Sequence, residues 1–397
     1  MNKIKFIHCA DLHLDTPFSG LSPDKASVRR DELRLNFSKI IDYCISKEVD
    51  FLFIAGDLFD KPHISDETVL FLKESFNKIK NVKVFISPGN HDPYMPGAKY
   101  EIFTWPENVH IFKEKEITKI SLDTLNTNIY GAAFTAPYTD RNLLENFSCS
   151  NSSNGSSRSA SNEGHFNIMI MHGETISGNQ SNSYNPISLI SILNSGLDYL
   201  ALGHKHEFLP PQKEGATYYS YCGSPEGRGF DELDEKGIIY GELYKDTLGE
   251  TRLNYEFIPC SSRIYREITV DVTGCVTHEE IINKISAALV STSDLYKIFL
   301  TGSLKCGFLL DLRIIISRFS EKYFFIKYYN HTTTEIDFEE LSKETMLKGI
   351  FTKRMLRKIE DARQKGDKQE ETLYTHSLLT GLKAFESEVF VYDNQVN

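Results

Sequence analysis

Short apolar runs rich in Ile, Val, Phe and Tyr recur through the first two thirds of the chain, and between them apolar residues return every three or four positions. The first pattern predicts buried strands and the second amphipathic helices, so their alternation predicts an α/β core. Predicted strands are Ile4–Cys9, Phe51–Ala55, Val82–Ser87, Asn128–Phe134, Phe166–Met171, Tyr199–Leu202, Thr217–Tyr221 and Gly237–Leu243; predicted helices are Lys25–Ser46, Glu67–Lys78 and Pro186–Leu193. The pattern changes near Ser261. Strand-like runs Arg266–Val272, Tyr296–Thr301 and Tyr323–Tyr329, separated by two helical segments, predict a small α+β unit. From about Leu341 the spacing turns helical. Leu347, Ile350, Phe351, Met355 and Ile359 fall on one face, and after the polar stretch KGDKQE so do Leu378, Leu379, Leu382 and Phe385.

The expected organisation is therefore a core over 1–261, a small α+β cap over 262–340 and a helical hairpin tail over 341–397. The stretch 148–164, rich in Ser, Asn and Gly, reads as a mobile surface excursion, because strands resume directly after it. No internal repeat is visible.

Composition narrows the class. A chain of 397 residues with 40% apolar content can bury one large core and a smaller second one. No apolar run approaches the roughly 20 residues of a membrane-spanning helix, and the N-terminus lacks a signal-peptide layout. The candidate chemistry begins at Asp11, so cleavage of a leader would destroy it, and a cytoplasmic location with no membrane contact is expected. The seven cysteines are scattered without a C-x-x-C pair, in keeping with small buried hydrophobes in a reducing compartment. The net charge of −11 argues against nonspecific binding to a polyanion. It leaves room for nucleic acid, since part of the acidic excess is candidate metal-binding carboxylate, and divalent ions would bring positive charge to where a phosphate sits.

The chemistry follows the predicted strands. DLH (Asp11, His13) comes after the first and AGDLFD (Asp57) ends the second; PGNHD (Asn90, His91, Asp92) ends the third. MHGE (His172) ends the strand after the Ser-rich stretch, and LGHKH (His204, His206) ends the next. In an open α/β sheet, ligands bind beyond the carboxyl ends of the strands, so five strands deliver Asp, His and Asn to one place. Imidazole nitrogens with carboxylate and amide oxygens, and no thiolate, suit Mn, Fe or Zn at a working centre rather than a structural cysteine-zinc site. Side-chain alternation along a strand would let both ligands of D-x-H, and both of H-x-H, project to the same side. Glycines beside Asp57, Asn90 and His204 would permit sharp turns and close approach.

Taken together, D-x-H, GD, GNHD, H and G-H-x-H in this order resemble the calcineurin-like metallophosphoesterases. HCADLHLDTPF, AGDLFD and YCGSPEGRGFDELDEKG further resemble the SbcD and YhaO-like nuclease subunits of bacteria, relatives of the nuclease in the double-strand-break repair complex. The resemblance implies a two-sheet α/β sandwich flanked by helices, and two divalent ions, manganese first, with iron or zinc also possible. Asp11, His13, Asp57 and His206 would hold one ion, and Asp57, Asn90, His172 and His204 the other, with Asp57 bridging. His91 would stay free of metal and donate a proton to the leaving oxygen. Asp60 stands where some relatives carry a second histidine that orients the phosphate; His63 lies close by. Asp15 and Asp92 are expected to hold hydrogen bonds around the ligands, and Arg228 either contacts phosphate or forms a salt bridge. The implied activity is metal-dependent exonuclease or endonuclease cleavage of DNA in repair. The implied partners are DNA, an SMC-like ATPase docked on the tail, and a second copy of the chain.

Ordinary readings stand beside these. His8, His110, His165, His278, His331 and His376 read as core or surface residues, and the tail's apolar stripes equally suit packing within their own unit. Two other functions remain open. One is a phosphoesterase for small molecules or cyclic nucleotides, which a deep closed pocket would favour; the other is a non-catalytic binding scaffold, against which stands the complete set of candidate ligands.

Overall fold

The computed structural model describes residues 3–61, 64–149, 165–177 and 184–386. The chain forms two compact units, Met1–Glu267 with Ser293–Leu295, and Ile268–Thr292 with Tyr296–Asn397.

The first unit is built on two six-stranded mixed sheets. In one, Lys3–Cys9, Phe51–Ile54, Lys83–Ile86 and Val109–Ile111 run parallel in that order. Gly237–Lys245 and then Thr251–Pro259 are added antiparallel on the other side of the first strand. In the second, Thr217–Tyr221, Tyr199–Gly203, Phe166–His172 and Thr127–Gly131 are parallel neighbours, with Leu209–Glu214 and Thr118–Leu122 as antiparallel edges. Alternation along each strand assigns its side chains to two layers. Phe6, Phe51, Phe53 and Phe85 meet Phe166, Ile168, Ile170 and Tyr199 between the sheets. Ile7, Cys9, Leu52, Ile54, Val84 and Ile86 turn the other way, onto Leu33, Phe37, Ile40, Val69, Leu72 and Phe76 of the helices Pro23–Ser46 and Asp66–Lys78. A third apolar layer, with Met169, Met171, Leu200 and Leu202, covers the outer face of the second sheet against Ile187 and Ile192. The result is the expected sandwich flanked by helices.

The first helix begins at Pro23, where a missing N–H costs nothing, two residues before the predicted start. A correction falls on Pro186–Leu193: Pro186–Ser188 instead pairs with Glu174–Ile176 as a short strand, and the helix is Leu189–Ser195, capped by the Ser188 side chain. Proline at 186 with a capping serine at 188 delays the helix start.

In the second unit, Tyr265–Asp271, Leu295–Leu304 and Phe325–Thr334 form a three-stranded sheet whose core takes in Ile281 and Ile285 from His278–Ala288, and Ile315 and Phe319 from Leu312–Phe319. A separate cluster of Met355, Ile359, Leu378 and Leu382 joins the helices Leu347–Lys365 and Lys368–Glu386, which break at Gly366 in left-handed conformation. Leu347, Ile350, Leu379 and Phe385 of the same stripes stay exposed. The stretch 150–164, and with it most of the predicted excursion, lies outside the described residues, as does His63.

Candidate metal centre

The strands deliver the candidate ligands from their carboxyl ends, but through turns. Lys3–Cys9 ends before Asp11 and Tyr199–Gly203 ends before His204; Asp11 (φ 52°), His13 (φ 44°), Asp57 (φ 50°) and His204 (φ 100°) all have left-handed backbone. Strand alternation is therefore not what aims D-x-H and H-x-H. Consecutive tight turns do so, at a conformational cost of about 1 kcal/mol or more each. The turns are locked to one another, since Asp11 N–H donates to the Gly56 carbonyl (3.0 Å) and His13 N–H to that of Asp57 (2.9 Å). A Cβ at Gly89 would run into the Asp57 carboxylate, which is why the GNHD turn needs glycine there.

Asp57 stands at the middle. Its Oδ1 accepts the His91 backbone N–H at 2.9 Å, while Oδ2 lies 3.7 Å from His13 Nε2 and 3.5 Å from His172 Nε2. On one side Asp11, His13 and His206 converge, and on the other Asp11, Asp57 and His172. Asn90 Oδ1 lies 2.9 Å from His172 Nε2. His172 Nδ1 donates to the Ala55 carbonyl at 2.9 Å, so its Nε2 presents a lone pair to the Asn90 oxygen. Nε2 of His13 and of His206 also face each other at 3.3 Å, and His13 Nδ1 is buried without a hydrogen-bond partner among the described residues. The lone pairs that His172 and Asn90 aim at one another are unfavourable alone. They suit a shared cation, around which donors bound at about 2.1 Å stand roughly 3 Å apart. The donor set thus fits divalent metal. His204 joins differently: its N–H donates to both Asp11 oxygens at 3.1 Å, and its ring lies 5.3 Å from that of His172, outside these close donor groups.

Electrostatics point the same way. Burial raises the carboxyls of Asp11 and Asp57 and lowers the imidazoles of His13, His172 and His204, disfavouring the charged state of each; at His206 burial is outweighed by the Glu232 hydrogen bond and the Asp11 charge, and the imidazole is raised. A bound cation would stabilise both the carboxylates and the neutral imidazoles.

The surrounding residues hold this set in place. Asp92 accepts from the N–H groups of Gly89 (2.7 Å), Phe59 (3.1 Å) and Asp57 (3.2 Å) and from the Tyr100 hydroxyl (2.6 Å), binding two ligand turns together. Asp15 serves instead the start of the second helix, accepting from Ser65 N–H and the Thr68 hydroxyl. His91 Nδ1 donates to the Asp60 carbonyl at 3.0 Å, which leaves Nε2 on an exposed ring. Arg228 is committed to an ion-pair network, with Nη2 2.9 Å from Glu232 and Nη1 3.3 Å from Asp60.

Glu232 is the residue that motif reading missed. Its Oε1 accepts His206 Nδ1–H at 2.8 Å and so turns Nε2 inward. Burial works to raise its carboxyl, but the His206 bond and the Arg228 charge outweigh this and hold it at about 2. It lies within YCGSPEGRGFDELDEKG among four other acidic side chains, and nothing in the sequence distinguishes it from them. The same stretch is anchored by a further unforeseen residue: fully buried Arg29 binds Glu226 (2.8 Å), Glu32 (2.6 Å) and the Gly227 carbonyl (2.7 Å). By contrast, His8 is a satisfied core histidine, bonded to the Tyr199 hydroxyl and the Leu202 carbonyl.

Two mixed sheets whose strand ends gather Asp, His and Asn around a central carboxylate define a metal-dependent phosphoesterase fold and centre. The chain belongs to the calcineurin-like phosphoesterase family, whose profile matches residues 4–208. It is 33% identical over 284 residues to an uncharacterized metallophosphoesterase, YhaO, of Bacillus subtilis (strain 168), covering 69% of this chain and 64% of that protein's length. Among solved structures, Vps29 of Chaetomium thermophilum matches 64% of this chain and 97% of its own at 12% identity, with a TM-score of 0.25, too slight a likeness to carry an argument. No helix among the described residues is long and apolar enough to cross a membrane.

Proposed function

We propose that this chain is a two-metal phosphodiesterase that cleaves DNA, with manganese as the working ion and an SMC-like ATPase as partner. The observation that carries the catalytic part is the position of Asp57, between His13 and His172 and hydrogen-bonded to the backbone of His91. Asp11, His13, Asp57 and His206 would hold one ion; Asp57, Asn90 and His172, with His204 beside them, the other. The chemistry such ions supply when bound is a water activated near neutral pH and neutralisation of the phosphate oxygens. The protein's own contribution is to orient. Glu232 fixes His206, Ala55 fixes His172, and the Asp60 carbonyl fixes His91 so that protonated Nε2 can give its proton to the leaving oxygen.

An exposed His91 and a half-buried Asn90 suit a substrate too large for a closed pocket. The exposed Leu347, Ile350, Leu379 and Phe385 on the last two helices suit an apolar partner, as the tail of an SMC-associated nuclease would require. A cavity of about 720 Å³ beside His206 has the size of a small-ligand site, but its acidic lining of Glu207, Asp231, Glu232, Asp234 and Glu235 disfavours a small phosphoester there.

The test is Mn²⁺-dependent hydrolysis of single- and double-stranded DNA. His91→Ala is expected to lower kcat by about 10²- to 10⁴-fold with Mn²⁺ binding retained, and Asp57→Ala to remove both. Hydrolysis of bis-p-nitrophenyl phosphate without any cleavage of DNA would sink the DNA assignment while leaving the metal centre intact.

A further inference from the structure

The rim of the centre beside His204 is aromatic. The Tyr184 ring lies 4.8 Å from the His204 imidazole at 33°, and the Tyr138 ring 5.8 Å from that of Tyr184 at 43°. The segments carrying the two tyrosines are joined by a bridge between Thr139 and Tyr184, reinforced by Asn185 N–H donating to the Thr139 carbonyl at 2.6 Å. The Asn185 side chain also donates to the His172 backbone carbonyl at 2.9 Å. The tyrosine pair is thus fastened to two of the candidate ligands. Tyr138 is nonetheless 66% exposed, a large ring held at the edge of the centre with most of its surface open.

The cavity on the Glu232 side has the opposite character. Glu207, Asp231, Asp234 and Glu235 join Glu232 there, against Lys205 and Lys236. A phosphate-bearing chain is repelled from such a lining, so the part of a substrate adjoining the scissile phosphate is directed to the tyrosines. Every nucleobase offers a flat π-face, and stacking on an exposed aromatic ring is sequence-tolerant.

We propose that Tyr138, backed by Tyr184, is a stacking platform for the nucleobase next to the scissile phosphate, which makes base-bearing phosphodiesters the substrate class of this centre. This rests on the DNA reading above. The experiment compares KM of the full chain, with Mn²⁺, on oligothymidylate and on the same strand with an abasic tetrahydrofuran unit at the cleaved position; bis-p-nitrophenyl phosphate reports the metal centre itself. The wild type is expected to favour the base-bearing strand by about fivefold or more. In Tyr138→Ala this ratio falls to near one, and in Tyr138→Trp it is kept, which a merely structural role for the ring would not produce. A wild-type ratio near one, or an unchanged ratio in Tyr138→Ala, overturns the platform while the DNA reading stands. Cleavage of the small diester with neither strand attacked overturns the DNA reading, and the platform with it.

Discussion

Single residues divide into those that face a metal and those that aim them. Glu232 belongs to the second kind: it touches no reacting atom, yet its carboxylate fixes which nitrogen His206 turns inward. Glu232→Gln keeps the size but replaces an anionic acceptor with a neutral amide. It should weaken Mn²⁺ affinity by about 10- to 100-fold, measurable by calorimetry, with much of the hydrolytic rate recovered at saturating Mn²⁺. A rate that stays low at saturation, with affinity unchanged, would assign Glu232 to the chemical step instead. The ligand types and their motifs were legible in the sequence because DLH, GD, GNHD and GHKH keep their partners adjacent. Glu232 and Arg29 were not, because each acts across about 26 or 198 residues of sequence, on His206 and Gly227 respectively, and an acidic or basic side chain in a charged stretch has no local mark of burial.

At the level of elements, buried strands announced themselves by composition: Phe51–Ile54 and Tyr199–Gly203 are buried at every position, and both were predicted within a residue or two. Edge strands such as Leu209–Glu214 and Thr118–Leu122 escaped, being half exposed and of mixed polarity. The short pair of Glu174–Ile176 and Pro186–Ser188 escaped because its pairing is set by the tertiary fold. The left-handed turns at Asp11, His13 and Asp57 also escaped, since such strain persists only where surrounding bonds impose it. One element-level anchor is testable. Arg29, on the first helix, is the buried counter-charge of Glu226 and holds the segment leading to Arg228 and Glu232. Arg29→Ala leaves Glu226 buried without that charge, and is expected to cost about 3–5 kcal/mol of stability by urea unfolding. A loss below about 1 kcal/mol would mean that the segment is held by other contacts, such as those from Asn36.

For the molecule as a whole, the centre sets how stability depends on pH. Burial raises the folded-state pKa of Asp11 to about 7 and those of Asp57 and Asp92 to about 6. These carboxyls keep their protons longer in the fold than in the unfolded chain. The stability they confer is full below the unfolded value near 3.8 and is lost as pH rises through about 6 to 7. Glu232 works in reverse, its contribution being full above the unfolded value of 4.5 and lost as pH falls toward about 2. The buried imidazoles oppose the raised carboxyls: burial lowers His8, His172 and His204 to about 3, 4 and 3, and lowers His13 as well, so the stability these confer is full above the unfolded value of 6.5 and is lost as pH falls below it. Between pH 5 and pH 8 the two sets offset one another, and the metal-free melting temperature should change little. Divalent metal should make the melting temperature rise with pH, because the ions bind the deprotonated carboxylates and neutral imidazoles. A metal-free melting temperature that falls steeply across this range would contradict the account of imidazoles held neutral by burial.

The central claim, that a pair of divalent ions held around Asp57 drives phosphodiester hydrolysis, is tested most directly by titrating Mn²⁺ into the EDTA-treated protein while following bis-p-nitrophenyl phosphate hydrolysis. The expected result is no turnover without metal, a rate that rises to a plateau at two equivalents, and no plateau in Asp57→Asn. Saturable binding of Mn²⁺ with no hydrolysis, or hydrolysis that survives Asp57→Asn, would contradict it.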